Sequence, residues 1–144
     1  MTSLNLGKTH PAAYKSLLAL DGEAASACTA AGLDPLLVEL VKIRVSQLNG
    51  CAFCLRMHTR DALAQGETTD RLAVLAAWWE SQYFTAVERA ALALAEQVTR
   101  LGVPERPQPD RDALTDEQAG AVSWLAVVMN AWNRVAITSH YPVG

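Results

Sequence analysis

The chain has 144 residues, 51% of them hydrophobic, and a formal charge of −3. This composition suits one domain with a substantial core and excludes a disordered chain. The mild acidity argues against a nucleic-acid binder, which would carry a basic patch. The longest apolar run, Ala121–Trp132, is broken by Ser123 and Asn130 and is too short to span a bilayer. Met1–Lys8 is polar and lacks an apolar signal segment, so a cytoplasmic protein with no membrane partner is expected. Three cysteines are too few, and odd in number, for a secreted disulfide scaffold.

Helical periodicity dominates the chain, and no segment alternates as a strand would. His10–Pro11 opens a first helix that reaches about Ala31, with proline in its first turn. Gly32 and Pro35 punctuate it. Asp34 is placed to cap a second helix from about Pro35 to Leu48, with Leu37, Leu40, Val41, Val45 and Leu48 on its apolar positions. Asn49–Gly50 breaks that helix. A third starts near Cys51 and ends near Gln65, before Gly66. Thr69–Trp79 reads as a short fourth helix. Thr85, three residues before Glu88, reads as a capping box for a fifth that ends near Leu101–Gly102. Gly102 to Asp112, with Pro104, Pro107 and Pro109, reads as a loop. Thr115 caps a last helix that reaches about Ser139. The expectation is a single all-α domain over residues 1–144, with about six helices.

One constellation carries chemistry. Glu39 is followed after eleven residues by Cys51, then by Cys54 and His58, in the pattern Cys-x-x-Cys-x-x-x-His. On a helix, positions 51, 54 and 58 fall within roughly 60° of one another, and Cys54 and His58 are four apart, where side chains meet. The break at Asn49–Gly50 allows Glu39 to fold back toward His58. The positive end of the helix favours a thiolate on Cys51 or Cys54. A roughly 25-fold gain in thiolate fraction is offset about 6- to 10-fold by lost nucleophilicity, so a low thiol pKa alone supplies little rate. General acid catalysis adds about 10²–10⁴-fold, and His58, oriented by Glu39, is placed to supply it. A Cys51–Cys54 bridge closes so short a loop that it contributes at most about 2 kcal/mol, which favours redox cycling over stapling.

With the surrounding segments LVKIRVSQLNGCAFCLRMH, AAWWESQYFTAVERAALALAEQVTRL and NAWNRVAITSHYP, the chain resembles the alkylhydroperoxidase AhpD-like family, within the carboxymuconolactone decarboxylase superfamily. The likeness runs over roughly residues 11 to 142. It implies an all-helical orthogonal array assembled as a homo-oligomer, a trimer or hexamer. It also implies a thiol peroxidase acting on a small hydroperoxide in antioxidant defence. By that resemblance Cys54 is the peroxidatic thiol, Cys51 resolves it, and His58 and Glu39 relay protons. A lipoylated or thioredoxin-like dithiol protein then restores the pair. Members can carry a second histidine just before the second cysteine; here that position is Phe53. This departure motivates an alternative reading as a dithiol–disulfide electron carrier. A non-redox, lactone-acting enzyme of the wider superfamily is the third reading.

Plainer readings stand beside these. Cys51 and Cys54 could be a buried apolar pair, or join His58 and Glu39 around zinc, although structural zinc sites favour more sulfur and separated knuckles. Haem attachment requires histidine directly after the second cysteine, where Leu55 stands. The preferred reading calls for no metal and no cofactor. Glu39 could pair with Lys42 on a solvated face. Cys28 reads as a packing residue, and His10 and His140 as non-catalytic. The aromatics Trp78, Trp79, Tyr83 and Phe84 read as core or subunit interface. Trp132, Asn133 and Arg134 have no chemical role assigned, with packing or an intersubunit hydrogen bond as the default.

Overall fold

The computed structural model describes residues 4–144, so the reading of Met1–Lys8 as leaderless lies partly outside it. The helices are α1 (Leu6–Thr9), α2 (Pro11–Ala30), α3 (Pro35–Asn49), α4 (Ala52–Ala64), α5 (Thr69–Val74), α6 (Ala86–Arg100) and α7 (Asp116–Thr138). Two 3₁₀ segments, Leu75–Glu80 and Arg111–Ala113, complete the order, and no strand occurs among the described residues. Among the described residues no helix is long and apolar enough to cross a membrane.

The helix starts follow local chemistry. Proline opens α2, and the Asp34 carboxylate accepts the Leu36 N–H at 2.8 Å to cap α3. Full capping boxes start α6, from Thr85 and Glu88, and α7, from Thr115 and Gln118. Three details depart from expectation. α1, held by Asn5, is a single turn and too short to show periodicity. The fourth helix stops at Val74 and continues as a 3₁₀ segment kinked at Ala77, where Trp78 turns inward and donates to Glu96 at 3.1 Å. The expected proline-rich loop ends in a 3₁₀ turn, Arg111–Ala113, which overlaps it at Arg111 and Asp112.

α3 is the central element. Val41 and Val45 join Cys51, Cys54, Ala91, Val122 and Met129 in the larger core cluster. On another face, Leu40 and Ile43 meet Leu75, Trp78 and Leu92. Each such fully buried aliphatic side chain contributes roughly 1.5–3 kcal/mol. Buried alanines at 91 and 95 on α6 and at 119, 121 and 126 on α7 belong to the same cluster as the cysteines. Behind this core, the Glu96 carboxylate accepts from Arg44 at 2.7 and 2.8 Å, from Trp78, and from Arg106 at 2.6 Å. Arg106 also lies 3.6 Å over the Trp79 ring, which ties the 102–112 loop to the body. A cavity of about 380 Å³ beneath that loop contains no thiol, and its one buried acid, Glu96, is fully paired.

Candidate active site

The redox segment begins where α3 ends. Gly50 takes the left-handed conformation, φ +69°, that ends the helix. The Cys51 N–H then donates back to the Ser46 carbonyl at 3.0 Å. Cys51 is the N-cap of α4, with φ −91° and ψ 97°, and not its first helical residue. The expected helical arc therefore holds for Cys54 and His58 but not for Cys51. As N-cap, Cys51 turns its sulfur onto the helix start, where it accepts the Cys54 N–H at 3.3 Å. The two sulfurs are bonded as a disulfide, with Cα atoms 5.3 Å apart. Both cysteines are buried. The positive end of α4 thus supports negative charge on Cys51 when the bridge opens.

Glu39 reaches His58 from the middle of α3. Its Oε2 accepts from the imidazole Nδ1 at 3.2 Å, and both residues are buried. A carboxylate on Nδ1 fixes the proton there and leaves Nε2 as the nitrogen free for chemistry. Lys42 lies 3.5 Å from the other carboxylate oxygen, so the ion pair and the relay contact coexist on one residue. Burial pushes the Glu39 carboxyl up, but the His58 hydrogen bond and the Lys42 ammonium outweigh it and hold the group below the ordinary carboxylate range. Its contribution to stability is therefore complete above about pH 4.5, the ordinary value, and is lost as pH falls through the depressed one. Acid titration followed by circular dichroism should show Glu39→Gln with a shallower loss of stability below that pH than the parent.

Cys54 and His58 open together onto a cavity of about 360 Å³, walled chiefly by Tyr14, Phe53, Met57, Met129, Trp132 and Tyr141; Cys51 is not among its walls. Tyr141 arrives there because α7 ends in a Schellman motif. His140, at φ +52°, donates to Ile137, and Tyr141 donates to Ala136 at 3.1 Å. The Tyr141 ring meets Phe53 edge-on at 5.0 Å, and Tyr14 meets Trp132 at 5.3 Å. Trp132 has an intrachain partner, the Asp21 carboxylate, which accepts its Nε1–H at 3.1 Å.

Tyr14 and Tyr141 line the cavity from opposite ends of the chain, and no local sequence pattern marks either of them. Asp61 was also missed, although it lies one turn beyond His58 and its Oδ2 is 3.7 Å from Nδ1. The zinc alternative draws on sulfurs that here are bonded to each other. Among the described residues, the group able to gather round a cation is Glu39, His58 and Asp61, with donor atoms within 4.8 Å, and the Lys42 ammonium already lies against Glu39. Cys28 is buried on α2, with its thiol toward the Ala121 carbonyl.

A family model described as the carboxymuconolactone decarboxylase family matches residues 11–97. YdfG, an uncharacterized protein of Bacillus subtilis, is 43% identical over 105 residues, covering 69% of this chain and 70% of its own. YnjA, an uncharacterized protein of Escherichia coli, is 34% identical over 64 residues, 44% of this chain and 35% of its own length. A crystal structure from Agrobacterium tumefaciens superposes with a TM-score of 0.84 at 31% identity, covering 100% of both chains. That protein is of unknown function and is described as a candidate antioxidant defence protein, AhpD.

Proposed function

The chain belongs to the carboxymuconolactone decarboxylase family, on its AhpD-like side, and from that membership we propose that it is a thiol-dependent hydroperoxide reductase. The observation that carries this reading is a bonded Cys51–Cys54 pair of which one sulfur, Cys54, shares an apolar cavity with a carboxylate-held imidazole.

In the reaction His58 Nε2 takes the proton of the Cys54 thiol, and the thiolate attacks the distal oxygen of the hydroperoxide. The S–O bond forms, the O–O bond breaks, and the departing alkoxide takes that proton back from His58 Nε2 and leaves as the alcohol. Cys51 then attacks the Cys54 sulfenic acid. The S–S bond forms, the S–O bond breaks, and hydroxide leaves as water with the Cys51 proton. An external dithiol, carried by a lipoylated or thioredoxin-like protein, reduces the bridge and is itself oxidised to a disulfide. Its thiolate enters by the cavity, so it strikes Cys54. Cys51 is then the leaving group, stabilised by the Cys54 N–H. Glu39 fixes the tautomer of His58. The reading includes a homo-oligomer, a trimer or hexamer, working in the cytoplasm.

Phe53 favours a second reading. It fills the place of a second imidazole with a ring packed against Tyr141, so only one histidine meets the cavity. On that reading the protein is a dithiol–disulfide carrier. A coupled assay separates the possibilities. With a dithiol donor present, the peroxidase consumes cumene hydroperoxide catalytically. A carrier exchanges with the donor and leaves the peroxide intact. A lactone-acting enzyme keeps full activity on a lactone acid after both cysteines are replaced.

A further inference from the structure

Between α3 and α7 lies a chain of polar side chains within otherwise apolar packing. The Asn133 Nδ2–H donates to Ser46 Oγ at 3.0 Å, and the Ser46 hydroxyl donates to the Lys42 carbonyl at 2.8 Å. Asn49 Nδ2 donates to both Asn133 Oδ1 and Asn130 Oδ1, each at 2.9 Å. Asn133 and Ser46 are both 0% exposed. A dry hydroxyl and amide cost free energy unless paired, and among the described residues every buried side-chain polar atom is paired. Apolar residues of similar volume would hold two helices together without that requirement. What a satisfied polar network adds is a single relative placement of its parts.

The placement it fixes is the last turn of α3. Ser46, whose hydroxyl is held by Asn133, receives the Cys51 N–H on its own carbonyl, and Asn49 immediately precedes the left-handed Gly50. The only covalent path from this turn to the Cys51 sulfur is Gly50 and the Cys51 backbone. We propose that Asn133 is a positioning residue for the redox pair: through Ser46 and Asn49 it holds the turn that presents the Cys51 sulfur to Cys54. The inference rests on the reading of Cys51–Cys54 as a redox couple. It gives a role to one residue of the Trp132–Asn133–Arg134 segment, which lies far from the cysteines in sequence.

Loosening the turn lowers the effective concentration of the Cys51 thiol at Cys54 and so disfavours the disulfide. The test is the thiol–disulfide equilibrium of the pair in glutathione buffers, read by alkylation and mass spectrometry. Asn133→Ala and Ser46→Ala should each lower the constant for disulfide formation about tenfold, which is about 30 mV for this two-electron couple. Leu75→Ala, in the core cluster that lacks the cysteines, should weaken folding and leave the constant unchanged. Ser46→Ala removes one oxygen and decides the matter if Asn133→Ala does not fold. Constants within about twofold of the parent for the folded variants, alongside easier unfolding, would reduce Asn133 to a packing role and overturn the inference. If the unmodified pair shows no reversible equilibrium with glutathione, the redox reading falls first and takes this inference with it.

Discussion

Cys54→Ser lowers hydroperoxide turnover to the level of buffer alone, while Cys51→Ser permits one oxidation and then stops. The asymmetry follows from where the two sulfurs lie. Cys54 borders the cavity beside His58, whereas Cys51 is turned onto the start of α4 and borders no part of that cavity. A serine at the attacking position has no accessible anion at neutral pH, so the first S–O bond never forms. A serine at the resolving position leaves Cys54 as a sulfenic acid, which a dimedone adduct and intact-mass measurement report directly. The same Cys51→Ser protein should trap a mixed disulfide with a small thiol at Cys54. If the adduct instead forms on Cys51 in the reciprocal Cys54→Ser protein, the two roles are reversed.

His58→Ala produces the second large effect, a fall in kcat/KM for hydroperoxide of about 10²–10⁴-fold, the range of general acid catalysis. Alkoxide is a poor leaving group, and no other imidazole borders the cavity, since Phe53 occupies the neighbouring position. The loss should shrink for hydroperoxides whose alcohol is more acidic, because a better leaving group depends less on a proton. Glu39→Gln retains volume but no longer holds the proton on Nδ1, and its loss should be smaller than that of His58→Ala. Steady-state kinetics across a series of leaving groups checks both. Equal losses for every leaving group would mean that His58 serves packing and not proton transfer.

Much of this site was legible because its parts are local. The eleven residues between Glu39 and Cys51 span the second half of α3 and one glycine turn. A helix that reverses at Gly50 brings its own middle against the next helix, and the carboxylate meets the imidazole at 3.2 Å. Capping signals located the starts of α3, α6 and α7 for the same local reason. What the sequence concealed was decided by tertiary packing. Burial of Trp78 and its bond to Glu96 convert the end of an expected α-helix into a 3₁₀ segment. Cys51 leaves the helical arc because its sulfur serves as the cap, an arrangement that spacing alone does not distinguish from a first helical turn. Tyr14 and Tyr141 line the cavity from opposite ends of the chain, so no pattern within a window could join them. Asn133 was visible only as part of a familiar segment, and its partners Ser46 and Asn49 lie 84 or more residues away.

The central claim is that a hydroperoxide oxidises this cysteine pair directly, beginning at Cys54. Stopped-flow mixing of the fully reduced protein with one equivalent of cumene hydroperoxide, quenched and read by mass spectrometry, tests it most directly. The account predicts a second-order rate constant at least about 10²-fold above that of free cysteine, the low end of what an imidazole general acid adds. It also predicts one Cys51–Cys54 disulfide formed per peroxide consumed. A rate no faster than free thiol, or oxidation that bypasses the Cys51–Cys54 bridge, would contradict it.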